Sequence, residues 1–257
     1  MSKSNNAFGT DKIEKHGKKE EKSPTELIRL NKFLSDGGFC SRREADRLIG
    51  QGKVYVNGTK AVMGQKVTIE DLVKVEDKKI EREEERILIA FNKPVGVECT
   101  SDKENPDNII DFIGYDKRIY PIGRLDKNSQ GLILMTNDGS FVNGILKASN
   151  YHEKEYVVTV DKPLTEAFLK GMSLGVKILG QVTRPCKVSQ ISNHTFNIIL
   201  TQGLNRQIRR MCKELGYNVQ KLKRIRIVNI ELGNLQIGAY RNVTEDEIEE
   251  LKRICNI

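Results

Sequence analysis

The sequence predicts an α+β protein in which a small N-terminal module precedes a larger domain with a mixed, mostly antiparallel β-sheet and flanking helices. From about Ile87 onward β-like runs dominate, and helical stretches interrupt them. These stretches do not alternate with the strands as regularly as a doubly wound parallel sheet requires. A charged run at 76–86, EDKKIEREEER, contains almost no apolar residues and separates the two parts.

The 257 residues suffice for a large domain and a small one. We predict a disordered charged arm at 1–24, a module at 25–75, a linker at 76–86 and the main domain at 87–257. The arm has no apolar core of the kind that a secretory signal contains, and no apolar run is long enough to span a bilayer. Five scattered cysteines without a C-x-x-C motif indicate free thiols in a reducing cytoplasm, so we expect a cytoplasmic protein without a membrane partner.

Two short helices are predicted at the start of the module. In TELIRLNKFLSDGG, Leu27, Leu30 and Leu34 follow helical spacing, and the glycine pair can end the helix. In SRREADRLIGQG, Ser41 and Glu44 form a capping-box pattern at the start of the second helix. About fifty residues build only a marginal core, so this unit is predicted to be an appended module.

A hairpin signal, VYVNGTKAV with an Asn-Gly turn at 57–58, follows the second helix. Cations in the first turn of a helix are unfavourable for its dipole, and a phosphate docked there would reverse the penalty. A merely basic surface is the alternative. The candidate phosphate-binding cations of the module are Arg42, Arg43, Arg47 and Lys53.

The main domain carries predicted strands in RILIAFN, RIYPI, GLILMTN, EYVVTV, TFNIILTQ and RIRIVNIEL. Helices are predicted in FVNGILKA, LTEAFLKGM, NRQIRRMCKEL and TEDEIEELKRI, and the last begins with a capping box of Thr244 and Glu247.

Positive charge is concentrated in one part of the chain. The net charge is +8, and the segment 200–226 holds eight cations against a single acid, Glu214. Such a cluster indicates a polyanionic partner. In NRQIRRMCKEL one helix face is apolar and another is cationic, so the cations fit phosphate contacts, although a solvated surface and the pairing of one arginine with a buried carboxylate are alternatives. The cationic face consists of Arg206, Arg209, Arg210 and Lys213.

Two further residues are candidates for chemistry. Asp126, in GRLDKNSQGLIL, reads in isolation as a turn aspartate beside Arg124. Tyr156, in HEKEYVVTV, reads as strand packing, with stacking on an extruded base as the functional alternative. The three histidines lie far apart, and the sequence lacks a Walker-type loop and G-x-G-x-x-G, so we expect no metal and no cofactor.

Several motifs together resemble one family. GRLDKNSQGLILMTNDG resembles the signature of pseudouridine synthases of the RsuA/RluB/RluE/RluF group, in which G-R-L-D carries the catalytic aspartate. The motifs KPVG (93–96), KEYVVTV (154–160) and QGLNRQIRRM (202–211), and an S4-type RNA-binding module at 25–75, occur in the family's order. The basic run from 202 to 230 resembles the RluF branch. The resemblance covers essentially residues 25–257, although the long basic C-terminal tail of some relatives has no counterpart after CNI.

The resemblance implies isomerisation of uridine to pseudouridine in RNA without a cofactor. Asp126 would be the catalytic carboxylate, which either removes the ribose 2′ proton or attacks the sugar. Tyr156 would stack on the flipped base, Arg209 would pair with Asp126, and Arg124 would occupy the place that the base leaves. The remaining implied RNA-binding residues of the main domain are Asn205, Arg206, Gln207, Arg210 and Lys213. We expect a monomer that acts on large-subunit ribosomal RNA, with tRNA as the alternative.

Two other functions fit parts of the sequence. The basic clusters and the S4-like module also suit a non-catalytic RNA-binding or ribosome-assembly factor, although such a protein would have no reason to keep Asp126, Tyr156 and Arg209 together. A hydrolase of glycosidic bonds would need a second carboxylate beside Asp126, and Asp138 is the candidate.

Overall fold

The computed structural model describes residues 26–81, 85–102 and 104–257. The predicted charged arm at 1–24 lies outside them. The elements of the N-terminal module are β1 (Ile28–Arg29), α1 (Leu30–Asp36), α2 (Arg42–Gly50), β2 (Val54–Val56), β3 (Thr59–Lys60), β4 (Lys66–Val67), β5 (Val73–Val75) and β6 (Lys78–Lys79).

The module has its own apolar core between the two helices and the small sheet. The first helix is shorter than predicted, because residues 28–29 pair with β4 as a strand and α1 begins only at Leu30. The predicted hairpin forms, and Asn57 and Gly58 both take positive φ. The strand β6 pairs with β5, and Ile80 is buried in this core, so the packed unit continues past the predicted boundary at residue 75.

At the start of α2, one of the two hydrogen bonds of the predicted capping box forms. The hydroxyl of Ser41 accepts a hydrogen bond from the backbone N–H of Glu44, as predicted. The Glu44 carboxylate, however, pairs with Arg47 one turn later. In the described chain the full reciprocal box forms at the last helix, between Thr244 and Glu247.

The main domain combines one large sheet with five helices. Its elements are β7 (Leu88–Lys93), α3 (Ile109–Ile113), β8 (Tyr120–Pro121), β9 (Gln130–Thr136), α4 (Gly139–Leu146), a short 3-10 helix (Ala148–Asn150), β10 (Lys154–Val160), α5 (Glu166–Leu174), β11 (Lys177–Ile178), β12 (Gln181–Val182), β13 (Lys187–Ser192), β14 (Thr195–Leu200), α6 (Gln207–Glu214), β15 (Val219–Ile227), β16 (Ile230–Glu231), β17 (Tyr240–Asn242) and α7 (Glu245–Cys255).

The large sheet has the strand order β13-β14-β10-β15-β9-β7-β17, with β16 beside β15 and β8 beside β9. All of these pairs are antiparallel except β15 with β9, which are parallel at the centre. The predicted α+β class and mostly antiparallel sheet are thereby confirmed. The short α3 and the small strands β11, β12 and β17 escaped prediction, because two to five residues carry too little periodicity.

The apolar cores of the two parts are separate. One cluster contains residues between 28 and 80, and three others contain residues between 87 and 255. Across the described residues, no helix is long and apolar enough to cross a bilayer.

Candidate active site

The loop that carries Asp126 is tied to the segment after β7. The backbone N–H of Gly96 donates to the carbonyl of Lys127 at 2.9 Å, and Lys93 Nζ lies 3.4 Å from the same carbonyl. One residue before Asp126, the N–H of Leu125 donates to Cys99 Sγ at 3.3 Å. The KPVG motif therefore holds the loop from one side.

On the other side, Arg209 of α6 fixes the loop and approaches the carboxylate. Its guanidinium donates to the carbonyl of Asn128 at 2.7 Å and to the hydroxyl of Ser129 at 3.1 Å. Arg209 Nε lies 3.9 Å from Asp126 Oδ2, so the predicted long-range pair is present in the structure as a loose ion pair. Burial, followed by the nearby Arg206, lowers the pKa of Arg209, and Asp126 opposes this.

A second arginine, Arg206, completes the surroundings of the carboxylate. Arg206 Nη1 lies 3.8 Å from Asp126 Oδ2. Arg206 precedes α6 and takes positive φ, at 51°. The Asp126 side chain keeps 32% exposure, so its carboxylate is held by two cations and still open to a substrate.

Four residues form a row across the sheet beneath this loop. In register, Lys93 of β7 pairs with Gly131 of β9, Gly131 with Arg224 of β15, and Arg224 with Tyr156 of β10. The Arg224 guanidinium lies 6.0 Å from the centre of the Tyr156 ring, and its Nε donates to the carbonyl of Leu132 at 2.7 Å. An arginine at this position fixes the tyrosine ring from the neighbouring strand.

Lys93 is a buried cation within this row. Its ammonium donates to the carbonyls of Pro94 at 2.8 Å and Val97 at 2.6 Å. Burial lowers its pKa to about 8, and the charges of Cys99 and Asp126 oppose the shift. Sequence reasoning noted the motif that contains Lys93 but gave this lysine no role, because nothing in the pattern K-P-V-G shows that the ammonium points inward.

The shifted pKa of Lys93 predicts a pH-dependent contribution to stability. Between pH about 8 and 10.5 the unfolded chain keeps a proton on this lysine that the folded chain has lost, so stability rises with pH in this range. We expect the free energy of unfolding of the wild type, relative to Lys93→Met, to increase from pH 7.5 to about pH 10 in urea titrations. As a control, Lys127→Met should show no such increase, because Asp107 raises the pKa of Lys127. If the difference in the free energy of unfolding between the wild type and Lys93→Met stayed constant over this pH range, the lowered pKa of Lys93 would be contradicted.

Comparisons with known proteins agree on one family. Residues 87–214 match the family model of RNA pseudouridylate synthases, and residues 28–78 match the S4 domain. The chain is 54% identical over 233 residues to the dual-specificity RNA pseudouridine synthase RluF of Escherichia coli K12, which covers 90% of this chain and 80% of that protein. The chain belongs to the RNA pseudouridine synthases. The resemblance to the RluF branch is confirmed.

Further relatives of this synthase support the same conclusion. The ribosomal large subunit pseudouridine synthase B of Bacillus subtilis is 36% identical over 90% of this chain and 98% of its own length. A crystal structure of a pseudouridylate synthase superimposes with a TM-score of 0.64 at 31% identity and covers 87% of this chain and 99% of the other. The chain is therefore an enzyme, and the non-catalytic alternative does not hold.

The predicted second carboxylate of a hydrolase has a structural task in this synthase. Asp138 accepts a hydrogen bond from the N–H of Ser140 at 2.8 Å and so caps α4, and its other oxygen lies 3.6 Å from Arg86. Among the residues that the structure describes, no group of three potential metal ligands forms.

Two polar residues of the segment that was predicted to contact RNA are buried in this synthase. Gln207 is only 5% exposed, and its side chain accepts from the N–H of Leu204, in the turn before α6. Arg224, within the basic segment at 200–226, is 3% exposed and belongs to the buried row. Arg226 of the same segment pairs with Glu153 and Glu155.

The other predicted RNA-binding residues of the synthase lie at the surface. Arg124 is exposed next to the loop, and Lys213 is exposed on α6. Arg210 donates to the carbonyl and side chain of Asn205 at 3.0 and 3.1 Å, so these two hold each other in place. In the module, Arg42 and Arg43 are exposed in the first turn of α2, whereas Arg47 pairs with Glu44 and Lys53 with Glu76.

Proposed function

We propose that this synthase isomerises one uridine of large-subunit ribosomal RNA, with a tRNA as its second candidate substrate, and that Asp126 is the catalytic carboxylate. The proposal for the substrate draws support from the relative that is named for the ribosomal large subunit. The observation that carries the proposal for the site is the Asp126 carboxylate, held within 4 Å of two arginines and open on its remaining side.

The chemistry follows from the groups at the site. The bond from the ribose to N1 of uracil breaks, the base turns, and a bond from the ribose to carbon 5 forms. The carbon 5 proton leaves and N1 gains a proton, so the product is an isomer of the substrate. No net oxidation or hydrolysis occurs, so the reaction needs no co-reactant. Asp126 either removes the 2′ proton to give a glycal or attacks the sugar directly, and both routes need an ionised carboxylate. Arg209 and Arg206 each lie within 4 Å of this carboxylate and hold it in position.

The bound uridine must leave its stack to reach Asp126. Extrusion costs a few kcal/mol, and stacking on the Tyr156 ring recovers part of this cost. Arg124, exposed two positions before Asp126, is placed to enter the RNA at the vacated position. Exposed cations such as Lys213 and Arg43 contact phosphates, so affinity decreases steeply with salt. The enzyme works as a cytoplasmic monomer.

Mapping pseudouridines in total RNA with and without this protein tests the substrate. We expect one large-subunit site to disappear when the gene is deleted and to return when it is restored. The control is the same strain restored with a catalytically inactive variant. A loss confined to tRNA would favour the second substrate, and unchanged maps would contradict both.

Deleting residues 1–80 tests the role of the module. Because the module and the main domain have separate cores, we expect 81–257 to fold cooperatively on its own. RNA affinity should decrease, since the basic surface at α2 is lost. Circular dichroism and filter binding measure the two effects. An unfolded fragment, or unchanged RNA affinity, would contradict the prediction.

A further inference from the structure

An exposed aromatic ring stands near the start of the strand that carries Tyr156. Tyr151 follows the short 3-10 helix, keeps 58% exposure and takes positive φ, at 54°. Single exposed aromatic side chains are common on protein surfaces, but the chain on both sides of this one is fixed. The preceding Asn150 donates to the carbonyl of Gly144 at 3.2 Å, and the following His152 is buried.

One face of this ring is covered by a guanidinium. The Arg184 guanidinium carbon lies 4.1 Å from the centre of the Tyr151 ring, the shortest cation–ring distance among the described residues. Arg184 is itself fixed, since its Nη1 donates to the carbonyl of Thr201 at 3.3 Å and its backbone N–H donates to the side chain of Gln202. The pair is therefore a rigid flat surface.

Chain connections place this surface at the rim of the active site. The residues that anchor Arg184 begin the short segment 201–205, which leads directly to Arg206 beside Asp126. On the other side, only five positions separate Tyr151 from Tyr156, so their Cα atoms are at most roughly 18 Å apart. Over such a distance, a single RNA strand whose target nucleotide lies at Tyr156 can reach Tyr151 within a few nucleotides.

We propose that Tyr151 and Arg184 form a stacking platform for an RNA base close to the target uridine. This inference rests on the RNA substrate of the proposed function and adds a binding site for a neighbouring nucleotide. Proteins that bind single-stranded RNA stack unpaired bases on aromatic rings and on guanidinium planes. The fixed ring loses little conformational entropy when a base is added, and the arginine behind it supplies positive charge close to the phosphates.

The test measures binding of the product RNA, which already contains pseudouridine and is not converted during the measurement. For Tyr151→Ala we expect a loss of affinity of about 5- to 150-fold, the range that one stacked base contributes. Tyr151→Phe should retain nearly all of the affinity, because the ring and not the hydroxyl makes the contact. The slope of affinity against salt should stay the same for both variants, since no phosphate contact is removed.

Abasic substitution identifies the partner. Each of the three nucleotides on either side of the target is replaced in turn by an abasic one, and wild type and Tyr151→Ala are compared on every RNA. We expect the loss of RNA affinity caused by Tyr151→Ala to vanish when one particular position is abasic and to persist when any of the other positions is abasic. The proposal would be overturned if Tyr151→Ala lost the same affinity on all of these RNAs, or if it lost no affinity on the intact RNA.

A matched control uses an exposed tyrosine on β17, an edge strand of the same sheet. Tyr240 of β17 is also exposed and packs edge-on against Tyr115, and Tyr240→Ala should leave RNA affinity unchanged. Because the measurement concerns binding alone, its outcome does not depend on whether Asp126 is the catalytic residue. It is performed with whichever RNA the pseudouridine map identifies, so an error in the predicted substrate does not change its meaning.

Discussion

Replacing Asp126 by asparagine should abolish pseudouridine formation while leaving RNA binding nearly intact. The amide has the same shape as the carboxylate, but it can neither remove a proton nor attack the sugar. We expect the single-turnover rate to decrease by about 10⁴-fold or more, the scale seen when an essential group is removed from an enzyme. Pseudouridine-specific chemical mapping of the target RNA measures the rate, and filter binding measures the affinity.

The local charges predict the binding result. Asp126 lies between Arg206 and Arg209, so its neutralisation leaves the rim of the site more positive. The affinity of Asp126→Asn for RNA should therefore match or slightly exceed that of the wild type. An appropriate control is Asp107→Asn, which removes a nearby exposed carboxylate that pairs with Lys127 at 2.7 Å. Asp107→Asn should convert uridine at close to the wild-type rate, and product formation by Asp126→Asn would refute the role assigned to this residue.

The pairing of Asp126 with Arg209 could be expected from sequence only through the resemblance to a family. The two residues are more than eighty positions apart, and neither a helix nor a hairpin relates them. In the structure the pair depends on how α6 packs beside the end of the loop, where Arg209 also donates to residues 128 and 129. Periodicity describes single elements and contains no information about such packing.

The buried cations show a second limit of prediction from the sequence. Alternate residues of a strand point to the same face, so Arg224 shares the buried face of β15 with Leu222. Sequence reasoning counted Arg224 only as one of the eight cations of the segment 200–226, because arginines are rarely buried. What permits the burial is the carbonyl of Leu132 on the neighbouring strand, and the sequence does not show which strand that is. The burial of Gln207 was hidden for a similar reason, since its acceptor role depends on the turn before α6.

Helix starts and strand positions were easier to predict because they depend on neighbours in sequence. Ser41 and Thr244 accept the capping hydrogen bonds that their positions suggested. The apolar face of α6, which contains Ile208, Met211 and Cys212, is buried as its spacing indicated. The glycine at position 131 had no special role in the sequence pattern, although the structure makes it essential.

Replacing Gly131 by alanine should destabilise the sheet and distort the active site. Gly131 lies where β9 and β15 run parallel, with φ at +112°. An added Cβ would lie 2.2 Å from the carbonyl oxygen of Arg224 and 2.7 Å from its backbone nitrogen. Both atoms belong to backbone that cannot rotate away, so the strands must separate. We expect a loss of about 3 kcal/mol or more in the free energy of unfolding, which lowers Tm by about 6–12 °C.

The same displacement should reduce catalysis beyond the loss of folded protein. Gly131 stands between Lys93 and Arg224 in the buried row, and the loop that carries Asp126 ends just before β9. At a temperature where Gly131→Ala is still folded, we expect the single-turnover rate to decrease by at least about tenfold. Such a decrease is plausible for a small shift, because misplacing catalytic groups by about 1 Å costs roughly a hundredfold in rate.

Replacing a second glycine by alanine serves as the control, because it tests whether the protein tolerates such a substitution elsewhere. Gly50, the last residue of α2, has ordinary φ, and an added Cβ there would meet no other atom within 4 Å. Gly50→Ala should leave the rate unchanged and raise stability by up to about 1 kcal/mol, because alanine favours the helix. If Gly131→Ala instead melted within about 2 °C of the wild type and kept its rate, the two strands would have room to separate without disturbing Arg224. The close approach of β9 and β15 would then not be what holds the row in place.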